Sequence, residues 1–98
     1  MIKINPMIVT DLQQIRKYIA KDSINNAERM IQRIYAKFET IEQFPNMGTE
    51  LATRVRFQTD YKYVLCKNYA IFYKTKDDCI EIYRILNTKQ DIARIFKK

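Results

Sequence analysis

The chain has 98 residues, 47% of them apolar and 12% aromatic, with one glycine, two prolines and a formal charge of +7. That makeup fits one folded domain over residues 1–98 without long linkers, and it excludes a disordered or low-complexity protein. Histidine is absent, which excludes Ser-His-Asp and Cys-His nucleophiles and every His-ligated metal centre, so proton transfer would fall to Lys, Tyr, Asp or Glu.

Met1-Ile2-Lys3-Ile4 alternates, and Ile2 to Asn5 reads as a short strand. Asn5-Pro6 suits a helix start with proline in the first turn, and Thr10 with Gln13 offers a second start of capping-box type. Ile8, Leu12, Ile15 and Ile19 recur at helical spacing until Asp22-Ser23 breaks the pattern. Asn25 with Glu28 is a candidate capping pair for a second helix, whose apolar face is Ala27, Ile31, Ile34, Phe38 and Ile41. Pro45 and Gly48 stop it. So short a break between two helices predicts an antiparallel hairpin.

Residues 49–60 are ambiguous, with Val55 and Phe57 as candidates for a strand or an irregular edge. Tyr61 to Cys66 and Tyr69 to Thr75 read as strands joined by the two-residue turn Lys67-Asn68. That turn predicts a register in which Cys66 faces Tyr69, Leu65 faces Ala70, Val64 faces Ile71, Tyr63 faces Phe72 and Lys62 faces Tyr73. Lys76-Asp77-Asp78 makes the next turn. Cys79 to Leu86, rich in β-branched and aromatic residues, reads as an interior strand. Asp91 to Phe96 has the spacing of a short helix. The predicted fold is α+β: an N-terminal strand, an antiparallel helical hairpin packed on an antiparallel sheet, and a short C-terminal helix, in the order βααβββα.

The predicted register puts Val64, Cys66, Tyr69 and Ile71 on one sheet face and Tyr63, Leu65, Ala70 and Phe72 on the other. Both faces are apolar, but the helical hairpin can cover only one. Two covers are open for the other: the C-terminal turn, through Ile92 and Ile95, or a partner.

The charge is uneven. Residues 1–51 hold 7 basic and 6 acidic residues, whereas residues 52–98 hold 11 basic and 5 acidic ones. A basic half points to an anionic partner. Most of the seven tyrosines suit half-buried strands, and Tyr83, beside Arg84, stands out as a functional candidate. Arg84 sits in an otherwise apolar strand and needs a partner, for which Glu81 and Asp91 are candidates. Cys66 and Cys79 form no C-x-x-C pair, and with no secretory signal or long apolar run they point to a reduced cytoplasm and no membrane role. The carboxylate pairs Asp77-Asp78 and Glu39/Glu42 are explained by a turn and an exposed helix face.

Asp11-Leu12 through Tyr18-Ile19-Ala20, Ala27-Glu28-Arg29, Phe44-Pro45-x-Met47-Gly48, Tyr69-x-x-Phe72-Tyr73 and Tyr83-Arg84-Ile85-Leu86-x-x-Lys89-Gln90-Asp91 occur in an order that resembles the RelE/ParE superfamily of bacterial toxins. These are the toxic halves of type II toxin–antitoxin modules. The resemblance implies a helical hairpin on an antiparallel sheet, a cognate acidic antitoxin as partner, and no cofactor or metal. It implies one of two activities. RelE-like members cut mRNA in the ribosomal A site with Lys and Arg residues on the sheet and a C-terminal Tyr. ParE-like members inhibit DNA gyrase and are not enzymes. The two lysines of the cleavage set fall near Lys62 and Val64, or on Tyr63 and Leu65. Its first Arg falls on Ala70, its second on Gln90 beside Lys89, and its Tyr on Phe96. The pattern therefore favours the ParE-like branch, with Tyr83, Arg84, Lys89, Arg94, Lys97 and Lys98 as candidate target-binding residues. For the alternative, an endonuclease acting on ribosome-bound mRNA, the candidate catalytic residues are Lys62, Arg84 and Lys89, with Arg94 as a further cation.

Overall fold

The computed structural model describes residues 1–96. Strand β1 (Ile2–Ile4) leads into α1 (Met7–Ala20), and α2 (Ile24–Gln43) follows after a short break. Then come β2 (Thr49–Glu50), a single 3-10 turn at Leu51–Thr53, β3 (Lys62–Cys66), β4 (Tyr69–Lys76), β5 (Cys79–Asn87) and the short helix α3 (Ile92–Phe96). The strands form one sheet in the order β1-β5-β4-β3-β2. The helical hairpin packs on one face of it and α3 on the other.

Local chemistry accounts for the helix ends. Asn5 Oδ1 accepts the Met7 N–H at 2.9 Å and Pro6 stands at the N-cap, so α1 begins there and not at Thr10. Ser23 caps α2 by accepting the Asn26 N–H at 3.1 Å. The expected pair Asn25 and Glu28 is not used, because α2 starts at Ile24 and Glu28 turns away to Arg16, 3.1 Å distant. All five residues expected to line the inner face of α2 are buried.

The sheet departs from expectation in two ways. It is mixed, because β1 runs parallel to β5, with Ile2 beside Ile80 and Ile4 beside Ile82. β1 feeds directly into α1, and α1 lies against β5, so β1 lands at that edge. The sheet also gains the two-residue strand β2, which pairs with Lys62 and Tyr63. Val55 and Phe57 lie in no strand.

The β3–β4 register is as the turn predicts at all five pairs. Lys67 takes a φ of 57°, and both Asp77 and Asp78 are left-handed at 51° and 62°. Asp77-Asp78 is therefore a two-residue turn, and Lys76 pairs with Cys79 within the sheet. Between β4 and β5 the register slips: Tyr73 pairs with Ile82 and Phe72 with Arg84, leaving Tyr83 as the extra residue of a bulge.

Tyr73 is fully buried and ties the loop after α2 to the sheet. Its hydroxyl donates to the Pro45 carbonyl at 2.8 Å and accepts the Gly48 N–H at 2.9 Å. A Cβ at Gly48 would stand 2.5 Å from that hydroxyl and 3.0 Å from the Lys62 Cβ. Close approach therefore dictates glycine here. Gly48→Ala should cost about 1–3 kcal/mol by overpacking. The loss should be smaller on a Tyr73→Phe background, as urea denaturation of the two single variants and the double variant would show.

Burial raises the Tyr73 hydroxyl above its ordinary 10.0, and burial likewise raises Tyr61 and Tyr69. The folded chain thus holds these protons more tightly than the unfolded chain. Their contribution to stability is full below pH 10.0 and is lost as pH climbs from there through the raised folded values. The melting temperature should fall above that pH, with a shallower slope in Tyr73→Phe.

Candidate functional site

The site residues divide between two places. The first is where α1 crosses β5. Asp11 is only 4% exposed, although it lies on the apolar side of α1 between Ile8 and Ile15. Its carboxylate takes two hydrogen bonds from Arg84, at 2.9 Å from Nε and 3.0 Å from Nη2, and a third from the Ile85 N–H at 2.9 Å. Bidentate geometry and a backbone donor satisfy a charge that would otherwise be costly to bury. The same hydrogen bonds raise the Arg84 pKa above its ordinary value. The partner of Arg84 is therefore Asp11, not Glu81 or Asp91. Those two lie elsewhere: Glu81 pairs in the sheet with Lys3 and Lys74, and Asp91 Oδ1 accepts the Arg94 N–H. Lys89 joins Arg84, Tyr18 and Tyr69 in lining a cleft of about 380 Å³ beside this clamp.

The second place is the sheet face opposite the helical hairpin. Leu51, Ala70, Phe72 and Leu86 form its core, and Ile92, Ile95 and Phe96 of α3 pack on them. The aromatic rings cluster there, meeting at tilted and edge-on angles. Phe96 lies 4.8 Å from Phe72, 5.2 Å from Tyr61 and 5.4 Å from Tyr83, and Tyr61 lies 4.9 Å from Tyr83. Lys74 sits over the Tyr61 ring at 5.2 Å. The bulge in β5 supplies Tyr83 to this cluster. Among the described residues the cover is incomplete: a groove of about 500 Å³ remains between α3 and the 3-10 turn, lined by Leu51, Val55, Tyr63, Leu65, Phe72 and Ile92. Leu65 is 57% exposed at its rim.

The candidate catalytic residues are not gathered in one place. Arg84 and Lys89 share the cleft beside α1, whereas Lys62 lies on β3, two strands from β5. Lys89 is exposed in the turn after β5, where its N–H donates to Asn87 Oδ1. Arg94 is exposed on α3. Lys97 and Lys98 lie outside the described residues. Gln90, where the resemblance places a cleavage Arg, uses Oε1 to accept the Asn87 N–H at 2.9 Å. Sequence reasoning missed Asp11. The available signal was a lone acid among the apolar positions of α1, together with a lone Arg in β5. Among the described residues, no helix is long and apolar enough to cross a membrane.

Asp11→Ala should leave Arg84 and the Ile85 N–H without their buried acceptor and destabilise the fold by about 3–5 kcal/mol. Arg84→Ala should also lower stability, since it strips the carboxylate of two donors. Chemical denaturation of both single variants and the double variant should show strong coupling between the two positions.

Comparison with known proteins agrees with this architecture. Among solved structures, a chain described as "Chromosomal ParDE TA system from P. aeruginosa" superposes with a TM-score of 0.70 at 18% identity, over 88% of this chain and 92% of that one. No curated protein matches the sequence. Residues 2–92 match the family described as "ParE toxin of type II toxin-antitoxin system, parDE". By that match, the chain belongs to the ParE toxin family, the toxin half of type II toxin–antitoxin modules.

Proposed function

We propose that the protein inhibits growth by binding DNA gyrase and blocking replication, without cutting RNA, and that a cognate acidic antitoxin restrains it. One observation carries the non-enzymatic reading. Positions that would supply the cleavage groups are taken up by packing or local bonding: Phe96 sits in the aromatic cluster, Ala70 is buried and Gln90 caps a turn. RNA cleavage by 2′-OH attack needs a group to take a proton and cations at the scissile phosphate. Phe96 has no hydroxyl, Ala70 and Gln90 carry no charge, and Lys62 stands apart from Arg84 and Lys89. Family membership supports gyrase as the target.

In this reading Lys89 and Arg94, exposed near the C-terminal end of the chain, contribute to the target-binding surface. Tyr83 and Arg84 act behind them, one in the aromatic cluster and one in the Asp11 clamp. The antitoxin lays an apolar segment along the groove between α3 and the 3-10 turn.

Purified protein should inhibit supercoiling by purified gyrase. Lys89→Glu with Arg94→Glu should abolish both that inhibition and growth arrest while leaving the melting temperature nearly unchanged, because neither side chain is packed. Undiminished inhibition by the folded variant would remove these residues from the target surface. Codon-phased cuts in ribosome-bound message, seen by primer extension within minutes of induction, would replace the gyrase reading with the endonuclease one.

A further inference from the structure

Helix α2 segregates its charges. Arg29, Arg33 and Lys37 follow each other at four-residue intervals, about 6 Å apart along the axis, and make one row on the flank that meets β3. The acids of the helix, Glu28, Glu39 and Glu42, lie about 120° or more round it from Arg33. Residues 1–51 hold 7 basic and 6 acidic residues, so the near-balance of that half in sequence conceals a one-sided surface. Arg29 and Arg33 are exposed and Lys37 is half-buried. The ion pairs among the described residues are Arg16–Glu28 and Arg84–Asp11, and neither involves the row. Like charges at this spacing repel and weaken a helix. The exposed Lys67, in the β3–β4 turn, adds a fourth cation. Burial raises the Cys66 thiol above its ordinary value while Lys37, Arg33 and Lys67 all pull it down, which places these three cations around one point.

Between α2 and the outer edge of β3 the cations border an open groove of about 460 Å³, whose other lining residues are Ala36, Thr40, Leu65 and Cys66. A protein partner needs large apolar or aromatic side chains at the centre of its contact. The one large apolar residue here, Leu65, belongs by strand alternation to the opposite sheet face, where it lines the apolar groove. Single-stranded nucleic acid needs rings on which its bases stack, and no aromatic side chain lines this groove. A duplex asks for neither. Its phosphates form a regular line of negative charge, met by Lys and Arg alone.

We propose that the row of Arg29, Arg33, Lys37 and Lys67 holds duplex DNA by its phosphate backbone, without reading bases. The choice of DNA over RNA rests on the gyrase reading above. Counterion release governs such binding, so it is insensitive to sequence and steeply dependent on salt. It concentrates the toxin on the polymer that gyrase works on. The surface is separate from Lys89 and Arg94, because β3 lies two strands from β5.

The test is fluorescence anisotropy of a labelled mixed-sequence duplex, titrated with the full chain over a series of salt concentrations. Four cations at roughly 0.9 each predict a slope of about −3 to −4 in log affinity against log salt. Arg33→Glu with Lys37→Glu should flatten that slope by about 2 and weaken binding on the order of tenfold or more at low salt. This variant should melt no lower than the unaltered chain, since Arg29 then faces an opposite charge four residues on. Lys89→Glu with Arg94→Glu changes the net charge equally and should weaken DNA binding far less. Equal losses from the two pairs would reduce the effect to net charge and overturn the proposal. So would unchanged affinity or a lowered melting temperature in Arg33→Glu with Lys37→Glu, or tighter binding of single-stranded DNA or duplex RNA. Absence of duplex binding by the unaltered chain overturns it too, and leaves the gyrase reading standing wherever purified gyrase is still inhibited. Duplex binding of the expected form without inhibition of gyrase upholds the DNA site and removes that reading.

Discussion

A sheet that is apolar on both faces governs this molecule. The helical hairpin buries one face, where Ile71, Tyr73 and Ile82 meet Ile34 and Ile41. Among the described residues, the other face receives only the five-residue helix α3 and the irregular stretch after β2. So short a helix has little stability of its own and depends on what it packs against. Phe96 is the anchor, since its ring touches Phe72, Tyr61 and Tyr83 together. An apolar groove is left beside it, rimmed by the exposed Leu65. A partially covered apolar face on a small basic domain is a surface suited to a partner.

The Asp11 clamp complements this arrangement from the opposite side. It fixes α1 on β5 through three hydrogen bonds to one carboxylate, two from Arg84 and one from the Ile85 backbone. Arg84 follows the bulged Tyr83 directly. The bulge thus sets two outcomes at once: Tyr83 joins the aromatic cluster and Arg84 reaches α1. Strand β5 is where the two halves of the architecture are held in register.

Much of this was legible in the residues, and the reasons are local. A two-residue turn at Lys67-Asn68 leaves only one register for β3 and β4, and side-chain alternation then assigns the faces. Helical periodicity identified the inner face of α2 residue by residue. Nonlocal features were not legible. Pairing of β1 with β5 joins residues nearly eighty apart in the chain and leaves no mark on a three-residue strand. β2 is too short to show alternation. The bulge at Tyr83 depends on how two strands meet and has no glycine to signal it. The clamp at Asp11 was not legible because its partner lies 73 positions away. For the candidate site, the sequence singled out Tyr83, Arg84, Lys89 and Arg94, but not that the first two serve packing and the last two face solvent.

If the proposed function holds, this ParE-family toxin stops replication and leaves message intact, because the positions where the resemblance places cleavage groups hold a phenyl ring, a buried alanine and a turn-capping glutamine. The most direct measurement is pulse labelling of DNA and protein synthesis at short intervals after induction. Incorporation of labelled thymidine should fall first, while incorporation of labelled methionine continues through the early intervals. An immediate halt in methionine incorporation, with thymidine incorporation still proceeding, would contradict it.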